Sequence, residues 1–152
     1  MEAGGSAEEE RAARFSGDAD IEAGAGRDRM AGMEKVNLAH KLGQIREHWS
    51  PKIVGELNGQ EVKLVKFQGE FVWHYHEAAD EMFLVVRGKF RIEMKGRAAV
   101  ELSEGEFFIV PQGVEHRPVA DEEVSVLLFE PAGTLNTGNI RNERTVDRPK
   151  KL

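Results

Sequence analysis

The chain after Pro51 is predicted to be all-β, on three observations. Short runs rich in Val, Ile and Phe recur along it, and glycine or proline punctuates them at the spacing of a sandwich or barrel. Asn58-Gly59 between two such runs is a strong hairpin signal.

In chain order, residues 36–45 carry Val36, Leu38, Leu42 and Ile45 at near-helical spacing, interrupted by Gly43. One short helix or turn is expected there, ended by Ser50-Pro51. Strands are expected over 53–57 and 62–67, then 71–76, 81–86, 89–94, 99–102, 106–110, 115–119 and 124–129. Gly88, Gly96, Gly105 and Pro111-Gln112-Gly113 supply turns between them, and Asp121-Glu122-Glu123 reads as a solvated turn before the last strand. Eight or nine short strands point to a closed barrel or jelly roll. Its expected core is Phe67, Phe83, Phe90, Ile92, Met94, Phe108 and Val110.

At 152 residues the chain has room for one domain. Residues 1–33 hold eight Ala, six Gly and eight acidic against four basic residues, and are expected to form a disordered acidic tail, because they bury too little to offset ordering. Residues 34–131 form the barrel. Residues 132–152, with five basic and two acidic side chains, are expected as a loop laid over it and a frayed basic tail. The absence of cysteine excludes disulfides, thiolate zinc sites, iron-sulfur clusters and cysteine nucleophiles. A formal charge of -6 disfavours nucleic acid and anionic membrane surfaces as partners. No apolar run approaches the ~20 residues of a membrane span and the first residues lack a signal-peptide pattern, so the expected location is cytoplasmic and the expected partner a small molecule.

Of five histidines, His74, His76 and His116 fall among the strands. Side chains two apart on a strand share a face, so His74 and His76 point one way while Trp73 and Tyr75 point the other, toward sheet packing or a dimer surface. Glu81 opens the next strand, and a hairpin would return its carboxylate beside the two imidazoles. Imidazole with carboxylate suits borderline divalent metals, and two His with one carboxylate is the arrangement of non-heme iron oxygenases. His116 would add a fourth ligand from a distant strand. His40 and His48 lie outside this grouping and read as surface residues.

Gly69, His74-Tyr75-His76, Glu81 and Gly88, followed by Gly105, Pro111, Gly113 and His116, resemble the two motifs of the cupin family in order. The resemblance covers residues 62–131. It departs in two places: Gly69 lies one residue closer to the histidine pair than usual, and Ala120 stands where the second motif ends in asparagine. The resemblance implies a double-stranded β-helix barrel in which His74, His76, Glu81 and His116 bind one divalent ion: iron, manganese, nickel, zinc or copper. It also implies a homodimer, and likeness to small single-domain cupins labelled sugar-phosphate-isomerase-like. Such a centre can polarise a carbonyl or enediol, acidify bound water, or bind a chelating substrate with oxygen. The expected function is therefore a metal-dependent enzyme, oxygenase or isomerase, on a small oxygenated molecule. A non-catalytic ligand-binding cupin and a metal-braced structural barrel are the alternatives. Lys66, Arg91 and Arg117 are the rim candidates for acid-base work. If Val62 and Leu64 share a face, Lys66 joins it, and inside the barrel it would need a partner or an anionic ligand; the favoured reading is an outward residue after a local bulge.

Overall fold

The computed structural model describes residues 33–152, and the expected tail over 1–33 lies outside the described residues but for Met33. Helix α1 (Leu38–Leu42) starts at Asn37, whose side-chain oxygen accepts the His40 backbone N–H at 3.0 Å. Gly43 closes it, and Leu42 and Ile45 are buried. Among the described residues no helix is long and apolar enough to cross a membrane.

Strands β1 (Lys52–Leu57) and β2 (Gln60–Glu70) form the expected hairpin. Its turn places Asn58 at φ 52° and Gly59 at φ 75°, the doubly left-handed geometry that Asn-Gly adopts most easily. The remaining strands are β3 (Glu81–Arg87), β4 (Lys89–Met94), β5 (Arg97–Ser103), β6 (Phe107–Val110) and β7 (His116–Pro131). All pairings between them are antiparallel, in the order β1-β2-β7-β3-β6, with β4 joining β7 to β5. β7 is the shared strand: it pairs with β2, β3 and β4.

Two apolar clusters lie on opposite faces of β2. The inner one gathers Val65, Phe67, Phe83, Val85, Phe90, Ile92, Val126 and Leu128, and the outer one gathers Leu42, Ile45, Val54 and Leu64 under α1. Full burial of one such large apolar side chain contributes about 1.5–3 kcal/mol, so each cluster holds its layer in place.

Three expectations are corrected. Residues 71–76 do not form a ladder strand; they run extended and meet β7 through one bridge, His74 opposite His116. Asp121, Glu122 and Glu123 are not a turn between two strands, because β7 runs through them. The β2 register jumps there from Phe67 opposite Val124 to Gly69 opposite Ala120, so the exposed acidic residues form a bulge in one long strand. The basic end is not frayed, since the Ile53 N–H bonds the Lys150 carbonyl at 2.8 Å and the Leu152 N–H bonds the Ile53 carbonyl at 2.9 Å.

On β2 the outward reading of Lys66 holds: Val62, Leu64 and Lys66 share the outer face, where Lys66 Nζ donates to the Ile45 carbonyl at 3.0 Å. Lys63 is the interior lysine, 2% exposed, with Nζ 2.9 Å from Glu130 Oε1 and 3.2 Å from Glu61 Oε2. Its ammonium stays charged: burial opposes this, and the two carboxylates outweigh burial and raise its pKa.

Removing Lys63 leaves the buried Glu130 carboxyl without its hydrogen-bond partner, at about 1–3 kcal/mol. Lys63→Met is expected to lower unfolding free energy by about that amount in urea denaturation. Lys63→Met with Glu130→Leu is expected to regain at least half of the loss, and a double variant as unstable as the single one would show that the pair is not the cause.

Candidate metal centre

The four residues singled out by spacing converge. His74 and His116 sit opposite each other on the extended segment and at the first residue of β7, with His74 N–H to His116 O at 3.0 Å and His116 N–H to His74 O at 2.9 Å. His76 follows two residues on, and Glu81 is the first residue of β3. All four are buried, and one ligand atom from each lies within 4.8 Å of every other. Backbone carbonyls orient two of the rings: His74 Nδ1 donates to Val72 O at 2.9 Å and His116 Nδ1 donates to Val114 O at 2.8 Å. Each Nε2 is therefore left as a lone pair directed away from the backbone, the usual state of a metal-binding imidazole. His76 Nε2 lies 3.0 Å and His116 Nε2 3.5 Å from Glu81 Oε2. His116 Nε2 is buried without a hydrogen-bond partner, which costs about 1–3 kcal/mol when nothing meets it. An orphaned lone pair beside two further imidazoles and a carboxylate fits a divalent ion, and these residues could hold one.

The Cupin domain family model matches residues 61–130. A cupin-2 domain containing protein of Shewanella frigidimarina, solved by crystallography, is 38% identical with a TM-score of 0.62, over 67% of this chain and 97% of that one. The chain belongs to the cupin family. Protein NMB1881 of Neisseria meningitidis is 32% identical at a TM-score of 0.61, over 65% of this cupin and 100% of that chain. The uncharacterized protein YdbB of Bacillus subtilis (strain 168) is 31% identical over 81 residues, 53% of this cupin and 72% of that protein.

Burial of this cupin's His74, reinforced by the neighbouring His116 imidazole, lowers its pKa from the ordinary 6.5 to about 4, so it is neutral and ready to ligate. Burial alone would raise Glu81; His116 and His76 outweigh it and hold the carboxyl below the usual carboxylate range. The reverse holds for Glu130, which burial and the neighbouring charge of Glu81 push well above that range, with Lys63 offsetting only part. The loop after β7 covers the centre. Gly138, at φ 55°, lies so close that a Cβ there would overlap the Tyr75 carbonyl, and the Asn139 N–H donates to that carbonyl at 3.1 Å while its Oδ1 accepts the Tyr75 N–H at 2.9 Å.

The rim candidates do not reach the site. Arg91 pairs with Glu93 and Asp121, Arg117 pairs with Glu93 and Glu70, and Lys66 caps Ile45. Trp73 faces away from the ligands, under the Lys95 and Arg117 cations at 5.4 and 5.0 Å. His48 is an exposed partner of Glu123 at 2.7 Å. Spacing analysis missed Lys63, Glu130 and Trp49. The signal for the first two was present, since Lys63 continues the inward row Val65, Phe67 and Glu130 continues Val124, Val126, Leu128.

A histidine whose pKa is depressed on folding contributes stability above its unfolded value, lost as pH falls through its folded value. Metal-free protein is therefore expected to lose about 3 kcal/mol from His74 between roughly pH 6.5 and 4. Urea denaturation at the two ends of that window, against His74→Asn, checks it; equal pH dependence in both proteins would remove His74 as the source.

Proposed function

We propose that this cupin binds one divalent ion through His74, His76, Glu81 and His116 and is a metal-dependent enzyme, oxygenase or isomerase, on a small oxygenated molecule. The observation that carries the reading is the buried, partnerless His116 Nε2 among three further potential ligands. Iron, manganese, nickel, zinc and copper all accept such a set. When bound, the ion supplies Lewis acidity toward an oxygen donor, and in the case of iron the means to engage oxygen. The protein's part is orientation and exclusion of water. Val72 and Val114 carbonyls fix two imidazoles, and Gly138 and Asn139 shield the His74 side from solvent. That close cover also favours a second reading, an ion that braces the barrel without turnover.

Elemental analysis of protein purified without chelator is expected to give near-stoichiometric metal, lost in His74→Ala and in His116→Ala. No metal in the wild type after reconstitution would end both readings. Retained metal with oxygen uptake marks the oxygenase and product without oxygen the isomerase. A chelation-dependent drop in Tm with no response to any ligand marks the brace.

We also propose a homodimer. Phe107 and Ile109 on edge strand β6 are 59% and 48% exposed, and stand opposite Leu84 and Met82 of β3 on one outward face. A second copy of the same face would cover them. Sedimentation is expected to show a dimer for the wild type and a folded monomer for Phe107→Glu with Ile109→Lys; a dimer that survives both changes would place the contact elsewhere.

A further inference from the structure

The segment that carries His74 and His76 belongs to no ladder, so its course is set by single partners along its two edges. On one edge His74 exchanges both backbone hydrogen bonds with His116, the Phe71 N–H bonds the Pro118 carbonyl at 3.0 Å, and the His76 carbonyl accepts the Gly113 N–H at 2.8 Å. Backbone groups of an extended chain alternate between its edges, so Tyr75 turns its N–H and C=O the other way. Among the described residues no strand pairs with it there.

Asn139 takes the place of that strand. Its side-chain Oδ1 accepts the Tyr75 N–H at 2.9 Å, and its own N–H donates to the Tyr75 carbonyl at 3.1 Å. The two contacts grip different peptide planes, since the Tyr75 N–H lies in the plane shared with His74 and the Tyr75 carbonyl in the plane shared with His76. Together they fix the two soft dihedrals of Tyr75, and so the direction of one histidine relative to the other. The dependence is greatest for His76. Carbonyls of Val72 and Val114 aim the His74 and His116 rings, whereas the His76 ring bonds only Glu81, itself a potential ligand, among the described residues. Its aim is therefore inherited from the backbone.

The loop that presents Asn139 is braced in turn. The Gly138 N–H bonds the Leu135 carbonyl at 2.9 Å, the Ile140 N–H bonds the Thr137 carbonyl at 3.0 Å, and the buried Thr137 gives its hydroxyl to the Ile140 carbonyl. Gly138 permits the approach, because any side chain there would strike the Tyr75 carbonyl. The match to the cupin model ends at residue 130, so this loop lies beyond it.

We infer that Asn139 is a positioning residue of the metal centre: by holding the Tyr75 backbone it sets how His74 and His76 present their nitrogens to one ion. The inference rests on the metal reading above and adds to it a residue from the loop after β7.

The test uses full-length protein loaded with cobalt(II), whose visible absorption bands report the number and arrangement of its ligands, and whose affinity is read by competition with a chelating dye. Asn139→Ala, which removes the acceptor for the Tyr75 N–H, is expected to weaken cobalt about tenfold and to shift the bands. Near-UV circular dichroism of the metal-free variant is expected to match the wild type. Asn139→Asp, which keeps an acceptor oxygen, is expected to restore the wild-type bands and most of the affinity. Wild-type protein that takes up no cobalt would overturn the metal reading and this inference with it. With cobalt bound, unchanged affinity or unchanged bands in Asn139→Ala, an equal loss in Asn139→Asp, or a loss accompanied by an altered near-UV spectrum would overturn this inference alone.

Discussion

The bridge between His74 and His116 is the constraint on which the site depends. Two reciprocal backbone hydrogen bonds place residues from distant parts of the chain face to face, with ring centroids 4.4 Å apart. Each ring takes its own aim from a carbonyl two residues earlier in its segment, and the bridge brings the two aimed rings together. His76 follows from the strand period, and Glu81 from the short connection into β3. Because β7 is continuous from His116 to Pro131, the strand that carries one imidazole at its start brings Glu130 beside Glu81 near its end, through the register that sets Phe129 opposite Met82. Metal-facing imidazoles and the buried Lys63 network are thus two ends of one strand's placement.

This arrangement also sets the electrostatics. Three carboxyl groups, Glu61, Glu81 and Glu130, are buried along with two ammonium groups, Lys52 and Lys63, and the burial that penalises ionisation of the carboxyls is answered unevenly. Glu81 is held ionised by the imidazoles around it, whereas Glu130, facing that charge, is pushed the other way despite Lys63.

Most of the fold could be read from the sequence because its turns are explicit: Asn58-Gly59, Gly88, Gly96, Gly105 and Gly113 all take positive φ where a turn was expected. The four potential ligands were legible for a similar reason, since i and i+2 on an extended segment share a face whether or not that segment joins a ladder. That tolerance is why residues 71–76 could be misread as a strand without misplacing His74 or His76. Phase was harder. On β2 both faces are apolar, one toward the barrel and one toward Leu42 and Ile45, so the alternation of Val62 and Leu64 did not say which row was inside. Lys63 was hidden by that ambiguity. The acidic run 121–123 has turn composition, yet the ladders on either side carry the strand through it as a bulge. Trp49 had no local signal at all, because its place is set by Lys66, Gln68, Phe67 and Phe71, which approach it only in the folded chain.

The contact of residues 150–152 with Ile53 has a consequence beyond ordering a basic segment. β1 lies at one margin of the sheet, and its outer N–H and C=O groups at Ile53 are met by Lys150 and Leu152, in a parallel bridge. An unmet margin of this kind is a template for a strand from another molecule. By closing it with its own residues, and by packing Leu152 onto the outer apolar cluster, the chain guards this margin against edge-to-edge aggregation.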